Sequence, residues 1–459
     1  MHRRNFLKVG AAAGLSLLTP WSRHALAAEA LVGFQGPFWI TINLAGAWDS
    51  TLFCDPKGDL TDGSDHGPIN RYIQAEIMDL DLGGQVIRLA PGTSPNTGSY
   101  YHHVPRSGGA PVHFLQHLAS RGATIINGVD AGLTNHRSGE QLAMAGSTAA
   151  DFPTLAALVA YHQLVDRDPI PNGPMPLLSF GGYDGTANLI PATRLNRLQV
   201  LGQITRPDTI GQANRVGQRI HGDARLDLIA AASAARKDEL TGRAMLPNKA
   251  QAMSQLFVAR SKEHHVGRLL DQFDFPTFEA LPSGKLEQQA YVALRAFEGG
   301  LAAGANLVLP GWDSHSYNDR TQARRMSELF AALVYIKDEA EALGVADRVN
   351  IVIGSDFGRS TYYANQEDPD SGKDHHSVTS WMTMLWGSGV ENGIRVVGET
   401  TDAVVARGLA ADLTPMPEGQ GIVPTPAVIH KELRRLAGLT EGSVADRFPV
   451  DGEALTLWP

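Results

Sequence analysis

The feature that most limits what this chain can fold into is a set of short apolar runs, each closed by small or acidic residues. They extend from Phe38 to Leu44 before GAWDS, Ala123 to Val129 before DAGLTNH, Leu177 to Phe180 before GGYDGT, Asn306 to Leu309 before PGWDSH, Asn350 to Ile353 before GSDFGR, and Met382 to Trp386 before GSG. Runs of this length bounded by turn residues predict buried strands. Helical patterns from Leu286 to Ala303 and from Thr321 to Leu343 precede two of them. Helix then strand, repeated, predicts parallel βα units and hence an α/β fold around a mostly parallel sheet. Glycine and proline, 48 and 26 of 459 residues, are frequent enough to predict long ordered loops between these units.

Two segments depart from this pattern. Residues 209–273 are rich in Ala, Gln, Arg, Lys and Glu at helical spacing, without a strand run, and predict an inserted helical subdomain or cap whose charges are solvated helix faces. Residues 1–27 carry Arg3-Arg4-Asn5-Phe6-Leu7-Lys8, a modest apolar run and then Ala25-Leu26-Ala27, which reads as an export signal with a small-residue cleavage site. The paired arginines resemble the twin-arginine consensus, so a mature domain over 28–459 is expected in the periplasm or outside the cell. No comparable apolar stretch follows, so no membrane span is expected in the mature chain. Loss of Arg3, Arg4, Lys8 and Arg23 makes a chain of formal charge −9 more acidic still, which argues against a nucleic-acid partner. Cys54 is the only cysteine, so no intramolecular disulfide can form.

Polar residues just past the carboxyl ends of the strands of an α/β sheet converge on one edge, where ligands bind. Here Asp49 follows the first run, Asp313 and His315 the fourth, and Asp356 and Arg359 the fifth, with Asp374, His375 and His376 in the glycine-rich loop beyond. Carboxylates and imidazoles in that arrangement suit a divalent ion such as zinc or manganese. GWDSH and KDHH carry most of the signal, because an Asp and a His two apart in a loop can both turn toward one ion. His66, His102, His103 and the His264-His265 pair read as surface or packing residues.

The order GAWDS, TNHRSGEQLAMAGS, GWDSH, GSDFGRS and GKDHH resembles the uncharacterised, twin-arginine-exported branch of the alkaline phosphatase and sulfatase superfamily, over nearly the whole mature chain. The resemblance implies a three-layer α/β/α sandwich, divalent metal ions (zinc, manganese, calcium or magnesium) and a hydroxyl nucleophile at a helix start. It implies that Asp49 and Asp356 serve one ion and that Asp313, His315 and His375 serve a second, with Asp374 or His376 in support. Two positions depart from the superfamily pattern. Phe357 stands where relatives have the His of an Asp-His pair, and Tyr317 stands where a His four residues after Asp313 is wanted. Arg359 is then available as a fixed cation for an anionic oxygen. The nucleophile should lie within DAGLTNHRSG, at Thr134 with Asn135 beside it, or at Ser138; Thr134 and Asn135 also fit plain helix capping.

These features imply an exported, metal-dependent hydrolase acting on a phosphate or sulfate ester, either a small anionic molecule or an anionic polymer. The competing expectation is a non-catalytic binding or assembly protein that keeps the fold with a degenerate metal site. An oxidoreductase is disfavoured, since no glycine-rich dinucleotide loop follows the first strand and no haem-type cysteine pair exists.

Overall fold

The computed structural model describes residues 34–93, 101–106, 109–167, 175–195, 220–241, 282–390 and 393–458. The export segment expected over 1–27 and the His264-His265 pair lie outside them. The chain divides into two compact units, Met1–Arg194 with Pro282–Pro459, and Leu195–Leu281. Of the second unit, which contains the segment expected to be helical, the described part is centred on one helix from Asp223 to Thr241.

In the first unit every apolar run of the sequence becomes a strand of one sheet. In chain order the strands are β1 (Phe38–Ala45), β2 (Met78–Asp81), β3 (Val86–Leu89), β4 (His103–Arg106), β5 (Gly109–His113), β6 (Ala123–Asp130), β7 (Leu177–Ser179) and β8 (Ala192–Arg194). They continue with β9 (Gly304–Pro310), β10 (Val349–Ser355), β11 (Gly358–Tyr363), β12 (Lys373–His376), β13 (Val378–Leu385) and β14 (Ile394–Val397). Eight form the central sheet in the order β14-β6-β13-β10-β1-β9-β7-β8, and the rest make the hairpins β2/β3, β4/β5 and β11/β12. All neighbours in the sheet are parallel except β13, which runs against both β10 and β6. β13 is reversed because the chain leaves β10, makes the β11/β12 hairpin and re-enters the sheet from the same edge.

Helices cover both faces, so β1 and β10 are buried almost from end to end and read as continuous apolar runs. Phe38 of β1 stacks on Phe297 of the helix Lys285–Glu298, while its neighbour Trp39 packs with Leu155 to Tyr161 of the helix on the other side. Full burial of side chains such as Ile40, Ile42 and Leu44 stabilises the sheet by roughly 1.5–3 kcal/mol each. Two pairs of polar residues inside the strands are pinned to each other: Thr41 Oγ1 donates to Asn306 Oδ1 (2.7 Å), and Ser380 Oγ donates to Asn127 Oδ1 (2.8 Å). His102 sits in an aromatic cluster with Phe53 and Phe330, a packing residue as expected, and His66 is exposed.

Because β1, β6, β7, β9 and β10 all run one way, their carboxyl ends share one edge with the β11/β12 hairpin and the start of β13. The helix Asn318–Ala342 and the helix His136–Ala145 follow the loops on that edge.

Candidate metal centre

Beyond β9 the chain continues through the loop Trp312-Asp313-Ser314-His315. Trp312 and Ser314 are buried while Asp313 and His315 are exposed, so the period of two turns the acid and the imidazole to the same side. Inward, Ser314 Oγ donates to Asn318 Oδ1 (2.7 Å) and Gln322 Nε2 donates to the Trp312 carbonyl (2.8 Å), which locks the loop to the helix behind it. The β12 strand lies against this loop. A Cβ on Gly372 would stand 1.9 Å from the His315 carbonyl carbon, so only glycine admits the approach.

His375 and His315 thereby meet, Nε2 to Nε2 at 3.0 Å, with His315 Nε2 also 3.2 Å from Asp313 Oδ1. His375 Nε2 is 3.7 Å from Asp313 Oδ1. From the opposite side comes His136, the first residue of its helix, with Nε2 3.7 Å from Asp313 Oδ2. The first turn of that helix reaches Asp356 because residue 139 is glycine: a Cβ there would lie 2.6 Å from the Asp356 carbonyl oxygen. His136 Nδ1 is 2.8 Å from Asp356 Oδ2, and Gly46 N–H donates to the same oxygen (3.0 Å).

Two overlapping donor sets result, His136 with Asp313 and His375, and His315 with Asp374 and His375, each with ligand atoms within 4.8 Å of one another. Tetrahedral zinc holds its ligands at about 2.0–2.2 Å and so separates neighbouring donors by about 3.3 Å. The spacings of 3.0, 3.2 and 3.7 Å bracket that value. His136 Nε2 fits a ligand role on independent grounds: it is buried with no hydrogen-bond partner. An ionised Asp356 can only accept, so Nδ1 carries the proton and Nε2 presents its lone pair, the carboxylate–histidine arrangement that commonly backs a metal.

The electrostatics are consistent with this geometry. The hydrogen bond to Asp356 raises the His136 pKa against the opposing effect of burial. Burial, then the positive charge of Arg359, lowers that of His375 and favours its neutral, ligating form. Burial acts to raise the Asp313 carboxyl, but the Arg359 guanidinium outweighs it and holds the group below the ordinary range.

Asp313, His315 and His375 are thus brought together as the sequence suggests, and Asp374 sits at the rim, 3.7 Å from His315 Nδ1. Asp356 acts one step back, orienting His136. Asp49 is not brought in. Its Oδ1 accepts from the Thr51 N–H (3.2 Å) and hydroxyl (2.5 Å), and its Oδ2 from Asn318 Nδ2 (3.1 Å) and Lys373 Nζ (2.9 Å). Nor does Arg359 offer a free cation. Its side chain is fully buried and donates to the carbonyls of Gly46, Ala47 (3.0 Å), Trp312 (3.0 Å) and Lys373 (3.2 Å) and to Asp313 Oδ1 (2.7 Å). It clamps the loops that follow β1 and β9 to the β11/β12 hairpin.

Asn135, not Thr134, caps the helix, accepting from the Ser138 N–H (3.2 Å), and Thr134 is left exposed two residues before His136. Phe357 lines the imidazoles, its ring 4.8 Å from that of His136 and 4.6 Å from that of His375. Tyr317 is exposed under Arg320 and takes no part. His376 turns back to accept from the Val378 N–H (3.2 Å). The residues that sequence reasoning missed are His136 and Lys373. His136 lies inside TNHRSG, a segment whose hydroxyls give the stronger local signal, and nothing in GKDHH marks its lysine as the partner of an aspartate 324 positions away.

Residues 39–408 match the family model described as "Protein of unknown function (DUF1501)". Two solved structures are similar over 93% of this chain and 76% of their own: the crystal structure of Ps i-CgsB in complex with k-i-k-neocarrahexaose, with TM-score 0.33 and 9% identity, and that of Ps i-CgsB, with TM-score 0.36 and 10% identity. No curated protein matches the chain.

Proposed function

This chain belongs to the DUF1501 family, and for it we propose a divalent-metal-dependent hydrolase of alkaline-phosphatase-like fold, acting on a phosphate or sulfate ester. The observation that carries the reading is His136 Nε2, a buried imidazole nitrogen without a partner, backed by Asp356 and converging with Asp313 and His375 at the ligand-binding edge of a mostly parallel sheet. Imidazoles outnumber carboxylates around the centre, which favours zinc over calcium or magnesium. Export by the twin-arginine route is proposed on the Arg3-Arg4-Asn5-Phe6-Leu7-Lys8 segment.

A bound ion would polarise the ester and lower the pKa of an attacking hydroxyl. His136, Asp313, His375 and His315 would hold it. Asp356 fixes the ring of His136, and Arg359 keeps Asp313 ionised and in place. Thr134, exposed beside His136, is the hydroxyl we assign to attack, with Asn135 setting the helix start behind it.

One observation favours the non-catalytic alternative: Asp49 and Arg359, which a two-ion mechanism would use, are both saturated by protein partners. Elemental analysis of the purified protein, followed by assay of the zinc-loaded form on an aryl phosphate and an aryl sulfate, separates the two. Bound metal with turnover that disappears in His375→Ala supports the hydrolase. Metal without turnover supports the binding protein, and no metal removes the basis of both.

A further inference from the structure

We propose that Lys373 is a built-in cation that takes the charge of Asp49 and, through that buried ion pair, positions the metal-facing imidazole of His375. The inference rests on the metal centre proposed above and assigns a positioning role to a pair outside it.

Lys373 Nζ lies 2.9 Å from Asp49 Oδ2, and the two side chains are 0% and 1% exposed. A carboxylate so completely withdrawn from water must be neutralised nearby, and Lys373 is the cation in contact with it. Around the pair, Asn318 Nδ2 and the Thr51 hydroxyl fill the other acceptor positions of Asp49, and Lys373 Nζ also stands 4.9 Å from the ring centre of Tyr363. The lysine backbone is held as well: its N–H donates to the Ser314 carbonyl (3.1 Å), and its carbonyl accepts from Arg359 Nη1 (3.2 Å).

Lys373 opens β12, and His375 lies two residues further along the same short strand. Opposite them in the hairpin stand Tyr363 and Arg359, with an irregular register between these two pairings. An irregular two-stranded hairpin has little intrinsic hold on its register. The Lys373–Asp49 pair, with the Arg359 clamp, therefore ties β12 to the loop after β1 and sets where His375 reaches. Asp49 is consumed by this tie, so the centre draws its ligands from the loop after β9, from β12 and from His136.

The test titrates zinc into metal-free full-length protein by calorimetry for wild type, Lys373→Met, Asp49→Asn and the double variant. Thermal melting and the NMR ring signals of His375 are recorded alongside. Each single variant should bind zinc about tenfold more weakly or worse, the usual effect of losing a group that orients a ligand. The double variant lacks the same single tie, so it should bind about as weakly as either single variant, not at the sum of the two losses. A pair that merely stabilises the fold would lower the melting temperature of the single variants yet leave their zinc affinity at the wild-type value, and that result overturns the proposal. So does a double variant that regains wild-type affinity, which would trace the single-variant losses to an unpaired buried charge and not to positioning. If Lys373→Met does not fold, Asp49→Asn, which keeps a polar group of the same shape, carries the comparison. A wild type that binds no zinc defeats the metal reading and not this one. In that case His375 ring signals that shift in the single variants and stay shifted in the double support the positioning role, and signals unchanged throughout or restored in the double refute it.

Discussion

Two layers of polar residues lie within a few residues of each other at the carboxyl edge of the sheet, and they are built oppositely. In the lower layer Asp49, Lys373, Gln322 and Arg359 are buried and richly bonded to carbonyls, amides and one another. In the upper layer His136, Asp313, His315 and His375 stand half-exposed, and the imidazoles crowd nitrogen against nitrogen and oxygen with Nε2 of His136 unpartnered. Satisfied polar networks rigidify; unsatisfied convergent donors are where a ligand can still gain energy. The contrast separates scaffold from centre more sharply than residue type does, since both layers contain an aspartate.

The largest test of that division is His136→Ala or His375→Ala. On the hydrolase reading each should lower turnover at least a thousandfold, about 4 kcal/mol, with zinc lost from the purified protein and the melting temperature of the apo form nearly unchanged. A variant that keeps its zinc would show that the upper layer is no centre. Arg359→Met attacks the lower layer instead. It removes the Arg359 donor from the Gly46, Ala47 and Trp312 carbonyls, of which the last two keep Gln322 Nε2, strips Asp313 of its cation, and should destabilise the fold by about 3 kcal/mol, read by urea denaturation. Little loss of stability would mean that the loops hold without the clamp.

Histidines outside the two layers sharpen the comparison through pH. His430 is fully buried with Nε2 2.9 Å from the Ala143 carbonyl, and burial pushes its pKa from the ordinary 6.5 down to about 3. The unfolded chain therefore binds the extra proton between those values, and stability rises with pH. The contribution is complete above the unfolded value of 6.5 and is progressively lost as pH falls toward about 3. At about 1.4 kcal/mol per pH unit, lowering the pH from about 6.5 to about 5 should cost roughly 2 kcal/mol from this group. His430→Gln should flatten that part of the stability curve; an unchanged slope would show that His430 is protonated in the folded protein.

The smallest effect distinguishes two neighbours. Asn135→Ala should cost about 1 kcal/mol as a lost helix cap, while Thr134→Ala should leave stability alone and, if Thr134 attacks the ester, remove turnover. The opposite pattern, stability lost at Thr134 and none at Asn135, would contradict the observed capping.

Local pattern carried a great deal of this. The period and bounding residues of the runs before GAWDS, DAGLTNH, PGWDSH and GSDFGR depend only on which side chains tolerate burial on both faces, and all became strands of one sheet. The alternation in Trp312-Asp313-Ser314-His315 is equally local, so Asp313 and His315 could be named together. Pairing across the chain was decided elsewhere. Lys373 with Asp49, Arg359 with four backbone carbonyls, His136 with Asp356 and the reversal of β13 all depend on which loops the topology brings to one edge. An aspartate after a strand looks the same in sequence whether it will meet a lysine ammonium, a backbone amide or a metal. Its partner is chosen by distances of a few ångströms across hundreds of residues, and only the packed tertiary structure sets those.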